Sequence, residues 1–271
     1  MTDGTTAQRP CGHVCWAYDD PASFEARARE YLLAGLAAGD RVRYVTGEPV
    51  PVVVERWCGA PRLRDALRTG AAEICSIDDM YGADVLDTDA QLASYTAMIE
   101  AAIADGHAGW RVAADATPLV LDPVRRDGFA RYEHLVDRFL RARPMSAVCG
   151  YDRSRLDEAA VEELACLHPT SDPGTSLFHL YAGDGGLVLD GELDTSNHDV
   201  FATALRRADH DPDELVLHAE GLRFIDHRSL LHLHRHAQSR HGAVVLRTPL
   251  TPAARLVALL GLSGIRVEVT G

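Results

Sequence analysis

The chain has 271 residues, 46% hydrophobic and 25% charged, an ordinary composition for a globular protein with room for two domains. Its formal net charge of -13 speaks against a large nucleic-acid interface and against binding an anionic membrane surface, since both want a basic face. The polar start, "MTDGTTAQRP", lacks the parts of a signal peptide, and no apolar run reaches the ~18 residues of a membrane span. The six cysteines are therefore expected to be reduced thiols in a cytoplasm.

In chain order, strands and helices alternate. "GHVCWAY" (12–18) reads as a strand and residues 19–40 as a helix, with Asp20 as N-cap, Pro21 in the first turn and Gly39 at the end. Phe24, Ala28, Tyr31, Leu32 and Leu36 share one face of it. "RVRYVT", "AAEICSID", "GWRVAADAT" and "MSAVCGYD" read as the next four strands. Helices are expected around "VPVVVERWCG", over 88–106, over 123–143 and over "DEAAVEELACLHP". Such alternation predicts a mainly parallel sheet covered on both faces.

After a linker-like "TSDPGT" (170–175) the order changes. Residues 176–194 read as two adjacent strands joined by the Asp-Gly-Gly turn at 184–186. Helix 198–209, one strand over 214–226, helix 227–240, strand 243–248, helix 251–264 and strand 265–269 follow. This predicts a mixed-sheet α/β domain.

Several residues bear chemistry. "CGHVC" places Cys11, His13 and Cys15 two apart, on one side of a strand, and these are zinc-type ligands. Cys149 and His168 could join them if the first and fifth strands end nearby; against this, a free Cys is commonly a small buried apolar side chain, and no metal is assigned. Arg111 and Asp115, four apart on one strand, share a face; they either form structural ion pairs or line a pocket at the carboxyl ends of the strands. The first turn, "YDDPAS", has no Gly or Lys and two acids, so a P-loop that hydrolyses ATP is not expected. His232 and His236 are spaced for a metal on one helix face but lack a third ligand, and are expected to face solvent or a partner. In "EGLRFIDHRSLLHL" (220–233) an apolar strand hands over to a helix at Asp226, which can simply cap that helix.

The segments "GHVCWAYDD", "FEARAREYLLAGLAAGDRVRYVT", "GWRVAADAT", "RYEHLVDRF" and "VCGYDRSRLDEAAVEELACLHP" resemble the MEDS sensory domain over about 11–169. That resemblance implies a RecA/P-loop-like parallel sheet without a functional P-loop, over 9–170. It also implies a small-molecule site that draws on His13, Cys15, Tyr18, Arg111, Asp115, Glu133, Cys149, Tyr151 and His168. Taken alone, Glu133 on a helix reads as an exposed charge.

"LDGELDTSNHDVF", "LVLHAEGLRFIDHRSLLHL" and "LLGLSGIRV" resemble the STAS domain of anti-sigma-factor antagonists, over 176–271. Antagonists of that family carry Asp-Ser-Ser-Gly at the handover loop, with the first Ser phosphorylated by a kinase-like anti-sigma factor. Here the residues are Asp226, His227, Arg228 and Ser229, with His227 at the acceptor position. The resemblance implies a docking surface without the usual phospho-switch; Ser229 as a displaced acceptor, or His227 as a phosphorylated or protonated switch, stays open. The expectation is a cytoplasmic, non-enzymatic regulator of transcription whose partner is an anti-sigma factor or related regulator and whose cofactor is unknown. The alternatives are a metal-dependent enzyme or metal-binding module on the first block, and an interaction protein without a ligand.

Overall fold

The computed structural model describes residues 12–82, 87–208, 210 and 213–270. Cys11, expected beside His13, lies outside them. The first block runs β1 (His13–Tyr18), α1 (Pro21–Ala37), β2 (Arg41–Thr46), α2 (Val50–Trp57), α3 (Pro61–Thr69), β3 (Ala72–Ser76), α4 (Ile77–Tyr81) and α5 (Thr88–Ala104). It continues with β4 (Trp110–Asp115), α6 (Thr117–Val120), α7 (Pro123–Arg141), β5 (Met145–Asp152) and α8 (Glu158–Ala165). All five strands are parallel, in the order β1-β5-β4-β2-β3. The parallel sheet is as expected; α3, α4 and α6 are additional, short helices without a long apolar period.

Apolar side chains from α1, α2 and α3 (Phe24, Leu32, Trp57, Leu63) cover one face of this sheet. Those from α5, α7 and α8 (Tyr95, Tyr132, Val136, Leu164) cover the other. Residues 13, 15 and 17 of β1 face the α7 side, and Tyr18 faces the α1 side. The same alternation on β5 sends Cys149 and Tyr151 toward α7 and leaves Gly150 facing α1. A β-carbon at Gly150 would run into the Phe24 ring, so glycine lets the helix approach closely there.

The second block comprises β6 (Phe178–Gly183), β7 (Gly186–Leu193), α9 (His198–Arg207), β8 (Glu214–His218), β9 (Leu222–Ile225), α10 (His227–Arg240), β10 (Ala243–Thr248), α11 (Thr251–Leu259) and β11 (Ile265–Val269). Its mixed sheet has the order β11-β10-β8-β7-β6, with β9 pairing β7. Among the described strands only β6 and β7 pair antiparallel, as the Asp-Gly-Gly turn predicts. The single strand expected over 214–226 is instead two. Residues 219–221 break it, and β9 crosses to the end of β7, pairing with it across a register shift at Gly191/Glu192.

The two blocks share packing. Ala130, Cys166 and Leu167 belong to the apolar cluster of the second block. Leu180 donates its N–H to the Cys166 carbonyl at 2.6 Å. Arg207 joins Asp127 at 2.8 Å and Glu163 at 2.9 Å. The linker-like stretch is docked as well. Thr170 bridges Val14, and its carbonyl accepts from the Cys15 N–H at 2.9 Å, so the β1 edge is partly covered.

Candidate functional site

Four ionisable side chains converge where β1 and β5 meet α7 and the chain leaving α8. Parallel pairing sets Cys15 opposite Cys149, with His13 opposite Ala147. Glu133 projects from α7, and His168 follows the end of α8. His13 Nε2 lies 3.0 Å from Glu133 Oε2 and 3.7 Å from Cys149 Sγ, and His168 Nε2 lies 3.8 Å from the same Glu133 oxygen. The two imidazole rings are 4.1 Å apart. Glu133 is 1% exposed, so its expected place on the surface is corrected. It falls with Phe129, Tyr132, Val136 and Leu140 in the buried stripe of α7, one helical turn from the equally buried Asp137.

The surroundings orient these groups. Asp137 Oδ1 sits 3.5 Å from His13 Nδ1, and its Oδ2 accepts the Ala182 N–H of β6 at 3.0 Å. The Tyr151 hydroxyl donates to Glu133 Oε1 at 3.1 Å. His168 Nδ1 is 2.9 Å from the Leu164 carbonyl. Burial alone would lower the pKa of His13, but the Glu133 charge and the Asp137 carboxylate outweigh it and the pKa is raised. Burial likewise opposes the charge on Glu133, yet His13 holds its pKa below the usual range. His168 is pushed down to about 4 by burial and by His13. Burial pushes the Cys149 thiol up to about 11. Without a ligand the site is thus a buried imidazolium–carboxylate pair beside a neutral imidazole and a thiol. It adjoins a small cavity of about 10 Å³ edged by Tyr81, Tyr95 and Tyr132, room for roughly one water. Those hydroxyls form a chain, Tyr132 to Tyr95 at 2.7 Å and Tyr95 to Tyr81 at 3.3 Å.

The other residues expected at this site divide between two places. Arg111 lies on the opposite face of the sheet, at the start of β4, where it pairs with Asp40 at 3.0 Å and sits over the Tyr31 ring. It shares no cavity with His13, which corrects the expected convergence. Two residues of a strand share a face when two or four apart, and Arg111 is in phase with Asp115 rather than with Val112 and Ala114, which face His13. Tyr18 and Asp115 also lie on the α1 side. They meet at 2.9 Å and line an open cleft of about 870 Å³ at the carboxyl ends of the strands. The cleft is acidic, with Asp20, Glu25, Glu48, Asp78 and Asp152 against Arg56 and Arg155. At its rim the exposed Asp20 accepts from the N–H groups of Ala22 and Ser23, so the α1 N-terminus is already capped by a carboxylate.

In the second block Asp226 caps α10, accepting the Ser229 N–H at 2.8 Å, and it pairs with His198 Nε2 at 2.8 Å. His227 and Arg228 are exposed; Ser229 is fully buried. A groove of about 350 Å³ beside them is lined by His198, Asp199, His227, Arg228, Leu231, His232 and Arg235. The expectation of solvent-facing histidines is corrected for His236, which is 9% exposed and lies 2.8 Å from His210; His232 is half-buried at the groove. His232 and His236 belong to different environments, so they form no shared site.

The sequence model of the MEDS family, described as MEthanogen/methylotroph, DcmR Sensory domain, matches residues 12–169, more than half of the chain. The chain belongs to the MEDS family. The matched MEDS block contains the whole five-stranded parallel sheet and every residue of the buried His13 cluster. No curated protein matches the chain. Sequence reasoning named four members of the cluster but missed Asp137 and the three tyrosines; the i, i+4 carboxylates inside the apolar stripe of α7 were the available signal. Among the described residues no helix is long and apolar enough to cross a membrane.

Proposed function

We propose that this chain is a non-enzymatic, cytoplasmic signalling protein in which the MEDS block senses a small ligand or a redox state and the second block carries the output. The observation that supports it best is Asp137. One of its oxygens faces His13 in the buried cluster, and the other holds the Ala182 N–H of β6. Any ligand that reorients His13 therefore acts on the first strand of the second block through one side chain.

The output block, with its antiparallel β6–β7 start and its strand-to-helix handover at Asp226, is read as STAS-like, and its partner as an anti-sigma factor or related regulator. The exposed His227 and Arg228 at the start of α10, next to a groove that also holds Arg235, favour an acidic docking segment. Burial of Ser229 argues against a displaced phospho-acceptor. Binding is then insensitive to a kinase and ATP. The test is affinity capture from the native cell by the full chain, with and without ATP, followed by mass spectrometry and a binding assay on the purified partner. An anti-sigma factor bound equally in both conditions is expected. Binding abolished by ATP, with phosphate on His227 or Ser229, overturns the constitutive reading.

A further inference from the structure

We propose that His13, Glu133, Cys149 and His168 form a tetrahedral site for a zinc-class divalent cation. The inference rests on the sensory reading of the same cluster and specifies its ligand. One donor atom from each residue lies within 4.8 Å of all the others. A zinc ion with bonds of about 2.0–2.3 Å implies donor–donor edges of about 3.3–3.7 Å. The edges here include 3.0, 3.7 and 3.8 Å.

The orientation of the donors carries the argument further than their proximity. His168 Nε2 is buried and makes no hydrogen bond, and Glu133 Oε2, 3.8 Å from it, meets only His13 Nε2, at 3.0 Å. Buried polar atoms are nearly always paired, and an orphan nitrogen facing a carboxylate oxygen with spare acceptor capacity marks a place for an ion or water. Their remaining atoms face partners outside: Glu133 Oε1 accepts from Tyr151, His168 Nδ1 meets the Leu164 carbonyl, and His13 Nδ1 lies 3.5 Å from Asp137 Oδ1 without a hydrogen bond. Each imidazole thus presents Nε2 to the centre while its Nδ1 faces an acceptor, the usual outer arrangement of a metal-bound histidine. Two imidazoles, one thiolate and one carboxylate suit zinc over calcium or magnesium, which take oxygen donors. With four protein donors and complete burial the geometry is that of a closed site that grips its ion rather than a catalytic one with an open position. Binding releases two protons to solvent, that of the Cys149 thiol and the Nε2 proton of the His13 imidazolium, since a thiolate and a neutral imidazole are the ligands.

Asp137 makes the site a reporter. It is the outer partner of His13 and also the acceptor for Ala182, so metal occupancy bears directly on β6.

The test uses the full chain, freed of metal by a chelator and titrated with cobalt and then zinc. Expected are one equivalent of cobalt per chain, a thiolate-to-cobalt charge-transfer band, d–d bands of tetrahedral intensity, and displacement of both by zinc. The charge-transfer band is lost in Cys149→Ser and kept in Cys58→Ser, whose thiol is outside the cluster. Asp137→Asn weakens zinc about 10–100-fold while the band persists. Absence of saturable cobalt and zinc binding by the wild-type chain overturns the proposal, whatever the variants do. So does a band that survives Cys149→Ser. Hydrogen exchange at the Ala182 amide separates the two ideas: slowing on zinc addition is expected. Stoichiometric zinc with unchanged exchange at Ala182 overturns the sensory coupling and leaves a purely structural metal site. Refusal of zinc by a chain whose Ala182 exchange responds to an organic ligand overturns the metal and leaves the sensor.

Discussion

Close histidine–carboxylate pairs stand in two opposite environments. His13 and Glu133 meet with both side chains 1% exposed, inside the MEDS block. His198 and Asp226 meet at 2.8 Å with side chains 10% and 12% exposed, at the mouth of the basic groove. Bulk water can replace a partner at the second pair and is kept from the first. Asp226 also has a second duty, capping α10, which would keep it ionised without the histidine. Glu133 has no comparable backbone donor and depends on His13, His168 and Tyr151. The buried pair therefore behaves as one unit, sensitive to any change at its centre, whereas the outer pair shapes a surface.

The largest expected effect breaks the buried pair. Glu133→Ala leaves an imidazolium and a tyrosine hydroxyl unpaired in the core and is expected to cost about 3–5 kcal/mol in urea unfolding. A loss under ~1 kcal/mol would place the carboxylate in a wet, replaceable position.

Next in size is a pH effect confined to the buried cluster. In chelator-treated protein His13 is raised and His168 lowered to about 4, so the two imidazoles pull stability in opposite directions. His13 contributes fully below the ordinary imidazole value of about 6.5, and its contribution is lost as pH rises through its raised folded value. His168 is the reverse: between about 6.5 and 4 the unfolded chain binds the extra proton, so stability falls as pH falls. Stability is expected to peak near pH ~6.5 and to drop on the acid side at up to about 1.4 kcal/mol per pH unit from this group. His168→Gln flattens the acid limb. Denaturant midpoints across pH measure this, and an unchanged acid limb in the variant rules it out.

Breaking the outer pair is milder. Asp226→Ala removes an N-cap and the His198 contact and is expected to cost about 1–2 kcal/mol by the same unfolding assay, with the MEDS-side cobalt spectrum unaltered. The smallest effect sharpens the scale. Arg223→Ala at its ion pair with Glu192, where the side chains are 67% and 45% exposed, is expected to change stability by less than about 0.5 kcal/mol. A loss as large as that of Asp226→Ala would mean that the groove side of the second block is stiffer than its exposure implies.

Much of this architecture is determined by local pattern. Period-two and period-3.6 alternation, Asp20 and Asp226 as caps, and the Asp-Gly-Gly turn specify the main strands and helices of both blocks, and α10 begins at His227 as its cap predicts. The family was legible from segments such as "GHVCWAYDD" and "VCGYD". Short helices without a long apolar period, such as α3, were not, nor was the break at 219–221 that splits one apolar run into β8 and β9. Alternation also shows that His13 and Cys15 share a face, and that Arg111 and Asp115 share a face. It carries no information on whether those faces are the same side of the sheet. That was decided by the register of β5 against β1 and β4, which sets Cys149 level with both Cys15 and Ala114 and leaves Arg111 out of phase, facing Asp40. Tertiary packing likewise decided that Glu133 and Asp137 are buried. A carboxylate at a core position is tolerable only when partners distant in sequence arrive to pair it, and His13 and His168 reach it only once β1, β5, α7 and the chain after α8 have packed together.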